Sequence, residues 1–137
     1  MRLLLILTLL PLPFAASATF QAGFAERDIT PKAPMPMWGY GARHDMLAEG
    51  TLDPLEARAV VLAFEQGKLA IVGIDLGRAP TFRSMERIRA AVREQAQVDH
   101  VMICGSHTHH GPVVELLDEP GKGQGKFDAA VAYVGEM

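Results

Sequence analysis

The sequence predicts a mixed α/β fold in which a β-hairpin is followed by a strand-helix-strand unit. Three observations lead there. Two apolar runs, residues 55–64 and 69–74, flank Gln66-Gly67, the composition of a tight turn between antiparallel strands. Residues 81–97 set Phe82, Met85, Ile88 and Val92 at helical spacing, opposite Arg83, Glu86, Arg87, Arg89, Arg93 and Glu94. A further apolar run, Val98 to Cys104, follows at once, and a crossover helix of this length makes the strands on either side of it parallel.

The N-terminus reads as an export signal over residues 1–18. Arg2 gives a positive start, Leu3 to Leu12 an apolar stretch, and Ala16-Ser17-Ala18 a cleavage site that leaves Thr19 as the first mature residue. The apolar stretch is about half of the ~20 residues that span a bilayer, and Pro11 and Pro13 break its helix, so no transmembrane anchor is expected. The expected destination is therefore the periplasm or the medium. Removing Arg2 makes the formal charge of -3 more negative still, and no basic stripe marks a nucleic-acid partner. Cys104, the single cysteine, excludes an internal disulfide and, at the end of an apolar strand, is expected as a small buried hydrophobe.

In the hairpin, Arg58 shares a face with Val60, Leu62 and Phe64, which calls for a carboxylate or carbonyl partner and favours a structural ion pair. Near the end of the chain, Phe127, Val131 and Val134 open another helical pattern that stops at Met137 without a cap. A helix cut there has little to bury its apolar face against, so residues 19–137 are expected to be an incomplete part of a larger domain.

The most chemical stretch is Gly105-Ser106-His107-Thr108-His109-His110-Gly111-Pro112, with three of the five histidines. On an extended backbone His107 and His109 point to one side and His110 to the other, until the chain bends at Gly111-Pro112. Neutral imidazole is a ligand for zinc and a proton carrier near neutral pH, so the cluster points to hydrolytic metal chemistry. The competing reading is a polar loop. Asp75 closes the strand expected to neighbour the one before the histidines, and sites in such sheets form beyond the carboxyl ends of the strands. It could accept the second ring N–H of a metal-bound histidine or bind metal itself; the alternative is a turn residue before Gly77.

These residues bring a resemblance. Phe24-Ala25-Glu26-Arg27-Asp28-Ile29-Thr30-Pro31, Met37-Trp38-Gly39-Tyr40-Gly41, Ala57-Arg58-Ala59, Gly73-Ile74-Asp75-Leu76 and Gly105-Ser106-His107-Thr108-His109 with Gly111-Pro112 occur in one order. That order resembles the N-terminal region of the neutral/alkaline, non-lysosomal ceramidases over residues 22–115. The resemblance implies the N-terminal part of a larger catalytic domain, and a zinc-dependent amidase that cleaves the N-acyl bond of ceramide to sphingosine and a fatty acid. It makes His107 a zinc ligand and His109 a catalytic neighbour of the scissile amide. The family's other ligands, a second histidine, a glutamate and a tyrosine, lie in much later sequence. It also puts residues 39–41 at the mouth of the site, so that Tyr40 lines the substrate entrance, with a ring packed on the core as the alternative; Gly41 is the glycine expected to need a positive φ. The chain departs from the family where a small residue and Gly-Pro-Gly-Gly are usual: His110-Gly111-Pro112-Val113-Val114 stands there, in a loop near the substrate.

A catalytic zinc usually takes three protein ligands, so this chain is expected to hold part of a site, with His110 and Asp75 as local substitutes. Two other readings stand beside it. Metallo-β-lactamase-like hydrolases also place a His-x-His after a strand but continue with an aspartate and another histidine, where this chain has His110 and Gly111. The other is an exported metal-binding module without catalysis. The oligomeric state is left open.

Overall fold

A computed structural model describes residues 20–41, 46–114, 133 and 135. The expected signal peptide lies outside them, as does nearly all of the pattern from Phe127 to Val134. The described elements are β1 (Gln21–Asp28), β2 (Glu56–Phe64), β3 (Gly67–Ile74), α1 (Phe82–Ala96) and β4 (His100–Gly105). The strands form one sheet in the order β1-β2-β3-β4. β2 pairs antiparallel with both β1 and β3, while β3 pairs parallel with β4 through the α1 crossover. The mixed α/β fold read from the sequence is the one observed.

The hairpin turns at Glu65-Gln66, and Gly67 is fixed there by two constraints. Its φ is +145°, and a Cβ would stand 2.6 Å from Asp99 Oδ2, the oxygen that accepts the Lys68 N–H at 2.9 Å. The turn is thereby tied to the link between α1 and β4. At its other end α1 stops in left-handed backbone at Gln97, whose N–H is donated to the Arg93 carbonyl at 3.1 Å.

β1 is a strand that the sequence reading missed. Its residues, QAGFAERD, show no apolar alternation, and every one of them is exposed. Backbone pairing to β2, from Gln21↔Ala63 to Asp28↔Glu56, holds it instead of burial. It ends in a turn: Asp28 Oδ1 accepts the Thr30 N–H at 2.8 Å. Hydrogen bonds from the Thr30 side chain, then its backbone, hold the Asp28 carboxyl below its ordinary value. Beyond the turn, Ile29 donates to the Leu55 carbonyl at 2.8 Å and Thr30 Oγ1 accepts the Leu55 N–H at 2.9 Å.

The core has two parts. Ile29, Met35, Ile74, Leu76, Val114 and Tyr133 pack together, and Ala70, Val98 and Val101 form a second cluster with Val61, Val72, Val92 and Ile103 around it. Tyr133 is helical and buried, and its hydroxyl donates to the Ile29 carbonyl at 2.7 Å. Tyr133 therefore packs into this core, while the apolar face expected from Phe127, Val131 and Val134 lies outside the described residues. Burial, reinforced by the Asp28 carboxylate, pushes the Tyr133 hydroxyl well above its ordinary value.

Two expectations about single residues need correction, and a third, the ion pair of Arg58, holds with a more exposed side chain than expected. Phe82 is 71 % exposed, whereas Ser84 and Met85 are buried. At 100° per residue it lies about 120° around the helix from Ile88, outside the arc that meets the sheet. Cys104 is exposed, because alternation turns Val101 and Ile103 towards the covered face of β4, and Met102 and Cys104 towards the open one. Arg58 does make an ion pair, with Glu26 at 3.3 Å across the strands and with Glu56, but its side chain is 57 % exposed. Glu26 is at the surface and Glu56 half-buried, and with the arginine itself exposed the pairing is a weak stabiliser.

Candidate functional site

β3 and β4 end side by side, and the chain leaves both in tight register. Ser106 donates to the Ile74 carbonyl at 2.8 Å, and His107 to the Leu76 carbonyl at 3.1 Å. Gly105 allows this, since a Cβ there would lie 2.8 Å from the Arg78 carbonyl carbon. His107 then takes φ +63°, so the chain turns directly after the strand. The two imidazoles do converge, with ring centroids of His107 and His109 5.2 Å apart. The cause is this left-handed turn, not the extended backbone expected from the spacing.

A second loop supplies the floor. Met37 bridges to Pro112, Trp38 donates to the Gly111 carbonyl at 2.9 Å, and Val113 donates to the Pro36 carbonyl at 2.9 Å. These bonds lay the buried Trp38 indole edge-on against His107 at 4.9 Å and His109 at 4.8 Å. Tyr40, 60 % exposed, packs edge-on against the same His109 ring at 4.8 Å. Gly39 holds φ +75° and Tyr40 itself φ +49°, whereas Gly41 is not in the left-handed region. The glycine that the loop requires is therefore Gly39: a Cβ there would stand 2.5 Å from His109 Nδ1. At Gly77 a Cβ would fall inside the Trp38 ring, so the bare backbone of Gly77 forms the opposite wall.

Gly77 also sets the chemistry of His107. Its carbonyl lies 3.0 Å from His107 Nδ1, and a carbonyl oxygen can only accept, so Nδ1 bears the proton and the Nε2 lone pair of the neutral ring is left for a ligand. This is the contact that orients metal-binding histidines, made here by a backbone carbonyl and not by the Asp75 carboxylate. Asp75 Oδ2 accepts the Glu56 N–H at 3.1 Å and its own N–H is donated to the Glu56 carbonyl at 2.9 Å, which locks the start of β2 to the end of β3. Asp75 and His110 meet elsewhere: with Thr30, Met35, Leu55 and Thr108 they line a cavity of about 630 Å³ to which His107, His109, Trp38 and Tyr40 do not contribute.

The structure thus groups His107, His109 and Tyr40 in one place and Asp75 with His110 in another. Among the described residues, no three His, Cys, Asp or Glu side chains come together as a metal cage. One oriented imidazole with a second beside it suits part of a zinc site and not a whole one. Trp38, Gly77 and Arg78 complete the cluster and were not singled out from the sequence. The single tryptophan of the chain, followed by Gly39, was the available signal.

No family model matches the chain. Among curated proteins it is 34 % identical to a neutral ceramidase of Oryza sativa subsp. japonica over 94 % of its own length and 18 % of that protein's. It is 36 % identical to neutral ceramidase 3 of Arabidopsis thaliana over 71 % of its length and 14 % of the relative's. Among solved structures, the neutral ceramidase from Pseudomonas aeruginosa superposes with a TM-score of 0.62 at 23 % identity, covering 88 % of this chain and 21 % of that one. A ceramidase complexed with C2 gives 0.61 at 24 %, over 86 % and 20 %. The chain spans less than a fifth of the length of these curated relatives and shares the fold of the corresponding part of the solved ones. Over the segment it represents, the chain belongs to the neutral ceramidase family.

Proposed function

We propose that this segment contributes His107 and His109 to a zinc-dependent amidase that hydrolyses the N-acyl bond of ceramide or a related lipid amide, releasing sphingosine and a fatty acid. The observation that supports it best is the 3.0 Å contact of His107 Nδ1 with the Gly77 carbonyl, which leaves Nε2 to face a metal. His107 would be one ligand, the rest coming from outside the described residues. Bound zinc would supply a water acidified to a pKa of about 7 and a positive centre for the developing oxyanion. His109, 5.2 Å from His107 between rings, would hand a proton to the departing amine nitrogen or donate to the carbonyl oxygen as its charge grows. Trp38 excludes water from beneath both rings. Tyr40 lines the approach of the substrate, and the cavity walled by His110 and Asp75 lies beside it for part of the lipid.

The test measures metal content and turnover of a ceramide analogue in the full-length protein. His107→Ala should lose zinc and activity together. His109→Ala should keep its zinc and lose about 10²-fold or more in kcat. Stoichiometric zinc and normal turnover in His107→Ala would end this reading. Export is part of the proposal, and secreted material should begin at Thr19 or within two residues of it; cytosolic protein retaining Met1 would remove it.

A further inference from the structure

Among the described residues, Arg78 is a charged side chain tied to the floor of the histidine cluster. Its guanidinium carbon stands 5.7 Å from the centre of the Trp38 ring, and that ring touches both His107 and His109. Arg78 is exposed, no described carboxylate pairs with it, and its backbone is pinned where Gly105 passes and where the Gly77 carbonyl receives His107. A cation–π contact keeps the guanidinium near the indole and leaves its N–H groups without a described carboxylate partner, and such a guanidinium can take a carboxylate in bidentate fashion. At this edge of the sheet the Asp75 and Glu56 carboxylates are engaged, Asp75 with the Glu56 N–H and Glu56 with Arg58. The N-terminus of α1 opens there, its first turn has no acidic residue, and no side chain caps it. A neutral lipid amide uses none of this.

We infer that Arg78 is a carboxylate-binding residue beside the reacting histidines, so that the site accepts a lipid amide or product bearing a carboxylate. The inference deepens the amidase proposal and rests on it for the nature of the substrate, though not for the existence of the anion site. Two sources share the chemistry: the carboxylate of an N-acylated amino acid, present before cleavage, and that of the fatty acid released by it. Each reaches Arg78 with its alkyl chain lying away from the charge, over the apolar indole.

Trp38 is the single tryptophan of the chain and lies under Arg78, so its fluorescence reports occupancy without metal or turnover. The chain is titrated with N-octanoylglycine, octanoate and, as the uncharged control, octanamide, in the wild type and in Arg78→Gln. Expected is a saturable change with at least one carboxylate, at least tenfold tighter than octanamide, and weakened at least tenfold in Arg78→Gln, whose circular dichroism stays that of the wild type. Binding of N-octanoylglycine alone identifies the substrate carboxylate; comparable binding of octanoate identifies the product. Equal affinity for octanamide, unchanged affinity in Arg78→Gln, or no response to any of the three overturns the inference. If Arg78→Gln is misfolded, Arg78→Met, which keeps the apolar stem, replaces it under the same criteria. These results are independent of the zinc and turnover measurements on His107→Ala, so the two proposals fail separately.

Discussion

Two neighbouring rows of the same sheet, one on each face, differ at the β4 end. Ala25, Ala59, Val72 and Ile103 are paired across the four strands, and the β3–β4 end of this row lies under α1 and the Val98 cluster. One residue away, Phe24, Val60, Ile71 and Met102 form the next row on the other face, where Phe24 is 81 % and Met102 50 % exposed. Val60 and Ile71 between them are half-buried, as Val72 and Ile103 are, yet this row is the more apolar in bulk. Side-chain size therefore does not decide which face is covered; the crossover does, because α1 must return on one side to make β3 and β4 parallel. The loops that carry Trp38, Gly77 and the histidines gather at the carboxyl end of that same pair, where close packing comes from bare glycine backbone as much as from large side chains.

The contrast can be broken at its covered side first. Leu76 is fully buried between the sheet and the loop that receives His107, so Leu76→Ala should cost about 2–5 kcal/mol in chemical denaturation. A cost below about 1 kcal/mol would mean that this core is not formed. Next in size, Gly77→Ala forces a methyl group against Trp38 and should cost about 1–3 kcal/mol. Its near-ultraviolet circular dichroism and tryptophan emission should change while the far-ultraviolet spectrum stays. An unaltered Trp38 signal would show that the indole does not sit on Gly77.

Tyr133→Phe should cost about 1–3 kcal/mol, since it leaves the Ile29 carbonyl without the donor that reaches it. The same contact predicts an alkaline limit. The folded hydroxyl ionises above its ordinary value of 10.0, so its stabilisation is complete below pH 10 and is lost as pH rises beyond it, the unfolded chain ionising first. Melting curves from pH 8 to 11 should steepen in their decline above 10 for the wild type and less so for Tyr133→Phe. On the open row the effect is smallest: Phe24→Gln should shift stability by no more than about 0.5 kcal/mol. A loss of 2 kcal/mol there would reveal that something covers the face in solution.

What the sequence made legible follows from how local each signal is. The hairpin, α1 and β4 were readable because turn composition and periodicity lie within each segment, and the ends fell within two residues of those expected. β1 was not, because its only support is pairing with residues far along the chain. Of the site, His107 and His109 could be named from their spacing, yet the turn at His107 that joins them could not, since αL backbone at a histidine has no composition signature. For the second ring N–H of a histidine the sequence offers Asp75 as one possible acceptor, whereas the group within reach of His107 Nδ1 is a main-chain oxygen two residues beyond it. Backbone acceptors are invisible in a list of residue types.

The bonds that fasten the site also fix the order in which it can exist. Trp38, Gly77 and the loop from His107 to Gly111 meet across long stretches of chain, and the bonds of Trp38 to Gly111 and His107 to Leu76 close only after α1 has been passed and β4 has paired. The β2–β3 hairpin needs none of this and is the fast local event. As the chain is made from its N-terminus, Trp38 and Gly77 emerge while the histidines are still to be synthesised. The indole must therefore wait in water for its imidazoles, and a His107 ring held by the Gly77 carbonyl marks chains in which the loops of this segment have closed.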